Sequence, residues 1–252
     1  MERLKDKVAV ITGGARGIGT SFCEAAAAAG ARVVVADVLD GSPVVDRIKK
    51  AGGDAIYCHA DVSSQSSVAS LVSETVKAFG TVDILVNNAA LFADLSKLPF
   101  ADIDDSSWDA VMAVNVRGPF ACCKAVAPIM IEKRKGKIIN IASGTVFKGF
   151  AGALHYVTSK GAVVAMTRCL ARELGAHNIC VNAIAPGLTM SEGVIANPSW
   201  GGQAAESTIA SRAIKREQVP GDLVGTLIYL ASNDSDFVTG QTILVDGGSG
   251  MR

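Results

Sequence analysis

Tyr156 and Lys160 stand four residues apart within residues 155–174, a stretch with helical patterning, so the two side chains share one face. An ammonium one turn from a phenol favours the phenolate. A phenol brought toward neutral pKa can protonate an alkoxide or take the proton of an alcohol. Ser143 follows an apolar run over 137–141 and offers a hydroxyl that can hold a substrate oxygen. Tyr-x-x-x-Lys alone recurs often, and on spacing alone a core tyrosine beside a solvated lysine remains open.

A second chemistry lies near the N-terminus. Val8-Ala9-Val10-Ile11 reads as a buried strand, Thr12-Gly13-Gly14-Ala15-Arg16-Gly17-Ile18-Gly19 as a glycine-rich turn, and 21–29 as an alanine-rich helix stopped by Gly30. Strand, glycine turn and helix N-terminus together make an anion site, because free backbone N–H groups and the positive end of the helix dipole face the same point. Turns use glycine too, so the cluster alone is weak. Arg32 opens a second apolar strand that ends in Asp37, about 20 residues past the glycines, where a carboxylate can accept hydrogen bonds from an adenosine ribose.

The elements that must position these groups alternate along the chain. Strands are expected at 8–11, 32–36, 55–60, 82–86, 137–141, 179–185 and 242–245, with helices at 43–51, 64–79, 106–115 (from a serine cap), 119–133, 155–174 and 220–232. This pattern implies an α/β fold: one doubly wound, parallel-sheet Rossmann domain over 1–252, seven-stranded, with right-handed crossovers and helices on both faces. Residues 188–216 break the rhythm and read as a substrate-loop insertion. Gly13, Asp37, Asp61, Asn87, Ser143 and Pro186 all fall at carboxyl ends of strands, where such sheets bind ligands.

Composition narrows the classes. Hydrophobic residues make up 49% of 252, enough for a large core, and 24 basic residues balance 24 acidic ones. No basic face is advertised, so nucleic acid and membrane are not expected partners. The charged N-terminus does not read as a signal peptide, and no apolar run approaches the length of a membrane span. Six scattered cysteines without a Cys-x-x-Cys pair read as reduced thiols of a cytoplasmic protein, and His59, His155 and His177 share no metal spacing with them. No metal is expected.

Thr12-Gly13-x-x-x-Gly17-x-Gly19, Asn87-Asn88-Ala89, Asn115, Ser143, Tyr156-x-x-x-Lys160 and Pro186-Gly187 together resemble the motif set of the short-chain dehydrogenase/reductases, in that family's order and over nearly the whole chain. The resemblance implies roles. Tyr156 is the acid/base, Lys160 lowers its pKa and binds the nicotinamide ribose, Ser143 orients the substrate oxygen, and Asn115 holds a proton-relay water. Gly13, Arg16, Gly17, Ile18 and Gly19 cradle the cofactor, and Asp61 and Val62 flank the adenine. Asn88, Ala89 and Ala90 support the cofactor, and Pro186, Gly187 and Thr189 embrace the nicotinamide. Ala90 departs from the family, which usually has glycine there, and its methyl narrows the space beside the cofactor.

Asp37 favours NAD, since a carboxylate accepts from a 2′-hydroxyl and repels a 2′-phosphate; Arg16 is the opposing signal. Candidate substrate contacts are Ser143, Thr145, Leu154 and Leu188, with Leu91, Phe92, Phe147, Met190 and Trp200 as further apolar walls. Such walls around one polar locus suit a small hydrophobic or cyclic secondary alcohol or ketone. Residues 187–198 are similar to bacterial pyridoxal 4-dehydrogenases, and the Gly240-Gln241-Thr242 and Val245-Asp246-Gly247-Gly248 runs to 1-phenylethanol dehydrogenases. His155, beside Tyr156, points about 100° away from it on a helix. The expectation is an NAD-dependent secondary-alcohol dehydrogenase acting on a small molecule, a homotetramer by family resemblance. The alternatives are an NADPH-dependent 3-oxoacyl-acyl-carrier-protein reductase and a non-catalytic dinucleotide-binding sensor on the same fold.

Overall fold

The apolar runs become seven parallel strands: β1 (Val8–Thr12), β2 (Arg32–Asp37), β3 (Asp54–His59), β4 (Ile84–Asn87), β5 (Gly136–Ile141), β6 (Ile179–Pro186) and β7 (Thr242–Val245). The computed structural model describes residues 2–200 and 203–251. Strand order is β3-β2-β1-β4-β5-β6-β7. Every pairing is parallel, for example Val10 opposite Val34 and Leu85. The chain winds outward from β1 to β3, then crosses back to lay β4 on the other side of β1. Between β1 and β4 the winding reverses, and a crevice opens there at the carboxyl ends.

Alternate residues of each strand feed two cores, as a sheet covered on both faces requires. Ile11, Val33, Val35 and Ile139 pack under α1 (Gly17–Ala28), α2 (Ser42–Lys50) and α9 (Gly221–Ala231) through Phe22, Ile48 and Leu227. Val10, Val34, Leu85 and Ile138 pack under α3 (Gln65–Phe79), α5 (Gly118–Lys133) and α6 (Leu154–Leu174) through Leu71, Val126 and Ala171. All six cysteines are free, and only Cys169 is exposed. Burial pushes the Cys58, Cys122 and Cys123 thiols up to about 12, so they pack as apolar side chains.

Three expectations are corrected here. The helix α4 (Asp105–Met112) is capped by Asp104, whose carboxylate accepts from the Ser107 N–H at 2.7 Å and the Ser106 hydroxyl at 2.6 Å; no serine caps it. The helices expected at 106–115 and 119–133 form one run joined by a π turn at Ala113–Arg117. Pro119 has no N–H to return to the Asn115 carbonyl, and the helix widens where that bond is missing. This run, Asp105–Lys133, has the length and composition of a membrane span, as core helices can. Its Val111, Cys122, Cys123 and Met130 are instead buried within the domain. The loop expected over 188–216 carries two short helices, α7 (Glu192–Ala196) and α8 (Gln203–Ser211); residues 201 and 202 in it lie outside the described residues.

Candidate active site

One cavity of about 730 Å³ lies along the carboxyl ends of the strands. Its floor begins where β1 turns into α1. Thr12 Oγ1 donates to the Val86 carbonyl at 3.2 Å and accepts from the N–H groups of Asn88 and Ala89, each at 3.1 Å. Asn88 Nδ2 donates to the carbonyls of Thr12 and Gly13, each at 3.0 Å. The Asn-Asn-Ala motif therefore clamps the glycine loop to β4. Gly13 and Gly17 have φ of 64° and 57°, a region glycine enters freely. Gly17 then opens α1 with its N–H free of any helical partner.

Asp37 sits beside this cradle. Its Oδ2 accepts from the Ala15 N–H at 2.9 Å and its Oδ1 from the Leu39 N–H at 3.0 Å. A carboxylate oxygen has two acceptor sites, so each oxygen retains one, and Asp37 lines the cavity. The neighbouring walls, Val38 and Leu39, are apolar and carry no second cation. Arg16 also lines the cavity, and its guanidinium is paired to Asp94 at 2.7 Å.

Ser143 caps the turn Gly144–Phe147 just after β5, accepting from the Thr145 hydroxyl at 2.9 Å. Tyr156 and Lys160 come from one face of α6 and are almost fully buried. Lys160 Nζ donates to the Ile141 carbonyl at 2.7 Å and lies 5.8 Å from the Tyr156 ring centre. Burial pushes the Tyr156 phenol up to about 12, opposed by a hydrogen bond from Ser143, and pulls the Lys160 ammonium down to about 8. Burial works against the phenolate that the sequence expects Lys160 to favour. Desolvation disfavours both charged forms, and the lysine is the member brought nearer neutrality.

Every residue expected at the cofactor, from Gly13 to Thr189, lines this cavity, as do Ser143, Thr145, Tyr156, Lys160 and Leu188. Asn115 and Leu154 do not. Asn115 is buried on the π turn, its amide spent on the Leu91 N–H and carbonyl and on Ser159 Oγ at 2.8, 3.1 and 3.1 Å. Ser159 Oγ in turn donates to the Tyr156 carbonyl at 2.6 Å, so Asn115 braces the turn that carries the tyrosine. Leu154 precedes Tyr156 by two positions, about 200° round the helix, and is exposed. Phe147 and Met190 pack beside the cavity without lining it. His155 is buried off the cavity, and burial pulls its pKa down. Ala90 lines the cavity without left-handed backbone, so its methyl carries no strain.

Sequence reasoning missed the lid's grip on the cradle. The Gly17 N–H donates to Glu192 Oε2 of α7 at 3.1 Å, and Asn197 Nδ2 ties the same segment to the carbonyls of Ala93 and Leu95 at 2.7 and 3.1 Å. It also missed Lys97, Lys148, Phe150 and Arg212 in the walls. Nothing in their local sequence marks them, because three loops far apart in the chain bring them together. The cradle fits a dinucleotide: an anion already sits on the N–H that opens α1, and Asp37 keeps acceptor sites toward the cavity. Glu192→Gln is expected to lower the dissociation constant for NADH roughly two- to fivefold, the worth of one carboxylate at a helix N-terminus. Fluorescence titration of bound NADH checks this; unchanged or weaker binding would show that the carboxylate does not compete with the cofactor.

The chain is similar to known proteins along nearly its whole length. The family model described as enoyl-(acyl carrier protein) reductase matches residues 13–250. A galactitol 2-dehydrogenase of Agrobacterium fabrum is 40% identical, covering 99% of each chain. A 3-oxoacyl-acyl-carrier-protein reductase of Staphylococcus epidermidis is 35% identical over 98% of this chain and 100% of its own. A solved structure from Beutenbergia cavernae, described as an NAD(P)-dependent gluconate 5-dehydrogenase with NADP bound at low occupancy, superposes with a TM-score of 0.91. It is 32% identical and covers 98% of each chain.

Proposed function

The chain belongs to the short-chain dehydrogenase/reductase family of oxidoreductases, which bind a nicotinamide dinucleotide, and from that premise we propose that it transfers hydride between NAD(H) and a small hydrophobic or cyclic secondary alcohol or ketone. The observation that carries this reading is the meeting, in one cavity, of the Ser143, Tyr156 and Lys160 side chains with the glycine cradle and Asp37. Bound nicotinamide supplies the hydride acceptor or donor and, when oxidised, a positive charge. The protein supplies the rest. Ser143 donates to the carbonyl or alkoxide oxygen and fixes it beside the Tyr156 hydroxyl, which gives or takes the proton. Lys160, anchored to the Ile141 carbonyl, holds a cation near the phenol. Asn115 and Ser159 keep α6 in register with the loop after β4. Phe92, Trp200 and Leu188 exclude water from the reacting end.

The choice of NAD rests on Asp37 together with the engagement of Arg16 by Asp94. Two like charges about 4 Å apart repel by about 4 kcal/mol at an effective dielectric of 20, enough to select between a 2′-hydroxyl and a 2′-phosphate. In parallel titrations, wild type is expected to bind NAD(H) in preference to NADP(H), and Asp37→Ala to shrink that preference roughly tenfold or more. Preference of wild type for NADP(H) would mean that Arg16 overrides the carboxylate. It would advance the second reading, an NADPH-dependent 3-oxoacyl-acyl-carrier-protein reductase, which the relative at 35% identity favours. The reading also includes a cytoplasmic homotetramer. Phe120 on α5 and Leu154 at the start of α6 are exposed apolar side chains that a second subunit would cover.

A further inference from the structure

The wall of the cavity beyond Tyr156 is a run of aromatic rings. Phe92 lies 4.5 Å from the Tyr156 ring and 4.5 Å from the Trp200 ring, and Phe150 follows at 5.9 Å from Trp200. Lys97 stands at the end of this run, its Nζ 5.3 Å from the Phe150 ring centre and 5.2 Å from that of Trp200. Rings of this kind fix the position of an ammonium without neutralising it. Among the described residues, no carboxylate pairs with Lys97.

The other charges at this end leave a cationic surplus. Asp94 is spent on Arg16. Asp246 accepts the N–H groups of Gly248, Ser249 and Gly250 at 3.0, 3.1 and 2.8 Å and lies 3.7 Å from Lys148. Arg212, buried, directs its two terminal nitrogens to the neutral carbonyls of Arg216 and Leu188, each at 2.7 Å, and no carboxylate pairs with it among the described residues. Lys97, Lys148 and Arg212 therefore face the cavity; of its carboxylates, Asp94 is paired to Arg16, Asp37 and Asp61 accept from backbone N–H groups, and Asp246 lies near Lys148. Trp200 Nε1 is a buried donor without an acceptor among the described residues, in the same wall. A donor so placed is costly unless an oxygen reaches it.

Resting on the reading of Tyr156 as the reacting end, we infer that the substrate is an anion: an apolar or ring-shaped body that lies along Phe92 and Trp200, with a carboxylate met by Lys97. This departs from the neutral alcohol that apolar walls alone suggest. It names a hydroxy or oxo acid in which the carbinol and the charge lie at opposite ends of the body.

The test uses two pairs that differ only in the far group: 4-acetylbenzoate against acetophenone for binding to the enzyme–NADH complex, and 4-(1-hydroxyethyl)benzoate against 1-phenylethanol for turnover with NAD. The acid ketone is expected to bind at least roughly tenfold tighter at low salt, with the gap narrowing as ionic strength rises. Lys97→Met is expected to remove that gap by weakening only the acid, and Lys97→Arg to keep it. Equal binding of the two ketones, binding of neither, or equal weakening of both by Lys97→Met overturns the inference. Failure of the wider reading looks different: preferential binding of the acid persists while neither carbinol is oxidised.

Discussion

Tyr156→Phe is expected to lower turnover roughly a hundred- to ten-thousand-fold, the range for loss of one positioned acid/base, while cofactor affinity stays within about twofold. The substitution removes one oxygen. The ring remains stacked on Phe92 at 4.5 Å, so the wall and the α6 backbone are preserved. The pKa values sharpen the test. Burial disfavours the Tyr156 phenolate, pushing the phenol up to about 12, and pulls the Lys160 ammonium down to about 8. With the positive charge of the oxidised cofactor added beside Lys160, alcohol oxidation by wild type should rise with pH through an ionisation below that of the phenol alone. In Lys160→Met that ionisation should move to higher pH by about one to two pH values, the effect of a unit charge about 6 Å away at an effective dielectric of 20. Activity of Tyr156→Phe within tenfold of wild type, or a parallel loss of cofactor binding, would remove the tyrosine from the chemistry. An ionisation that stays in place in Lys160→Met would assign the lysine to cofactor binding alone.

The parts of the site legible in the sequence are those whose chemistry is local to the backbone. Gly13, Gly17 and Gly19 follow from one strand-to-helix turn, Asp37 from the end of the next strand, and Tyr156 with Lys160 from one helical turn; all lie in the cavity. Strand and helix existence was legible for the same reason, since the continuous apolar runs of β1 and β2 and helical spacing in α3 are short-range patterns. The bracing bonds of Asn115 were not legible, because they depend on a π turn and on the Leu91 backbone 24 residues away. Leu154 lies off the cavity because, two positions before Tyr156, it stands about 200° round the helix and faces outward. The cation near the phenol can be read from spacing, whereas the opposing cost of its burial cannot. Lys97, Lys148 and Arg212 carried no signal, since only the closed fold brings the three loops that hold them to one mouth.

Gly19→Ala is the second substitution with a large expected effect, and it tests whether the glycine loop's shape, rather than any side chain, holds the cofactor. A Cβ built at Gly19 would lie 1.8 Å from the Gly13 carbonyl oxygen, 2.7 Å from its carbon and 2.8 Å from Asn88 Nδ2. The first two are backbone atoms, and the Gly13 oxygen is already held by Asn88 at 3.0 Å. Neither can swing aside as the tip of a flexible side chain would. The loop must move as a unit, taking with it the N–H that opens α1 and the Ala15 N–H that orients Asp37. Overpacking of this kind costs about 1–3 kcal/mol, which for a chain of this size lowers Tm by roughly 2–12 °C. Affinity for NADH should fall by more than that loss of stability accounts for, about a hundredfold or more, because the cradle and the ribose acceptor are displaced together. Gly225→Ala provides the contrast: nothing lies within 4 Å of its Cβ position on α9. It should leave cofactor affinity unchanged, and alanine's better helix propensity should offset any strain. A Gly19→Ala protein that folds and binds NADH as wild type does would mean that the loop can relax around a methyl group, and that the close approach of Gly19 to Gly13 is a packing feature independent of the cofactor.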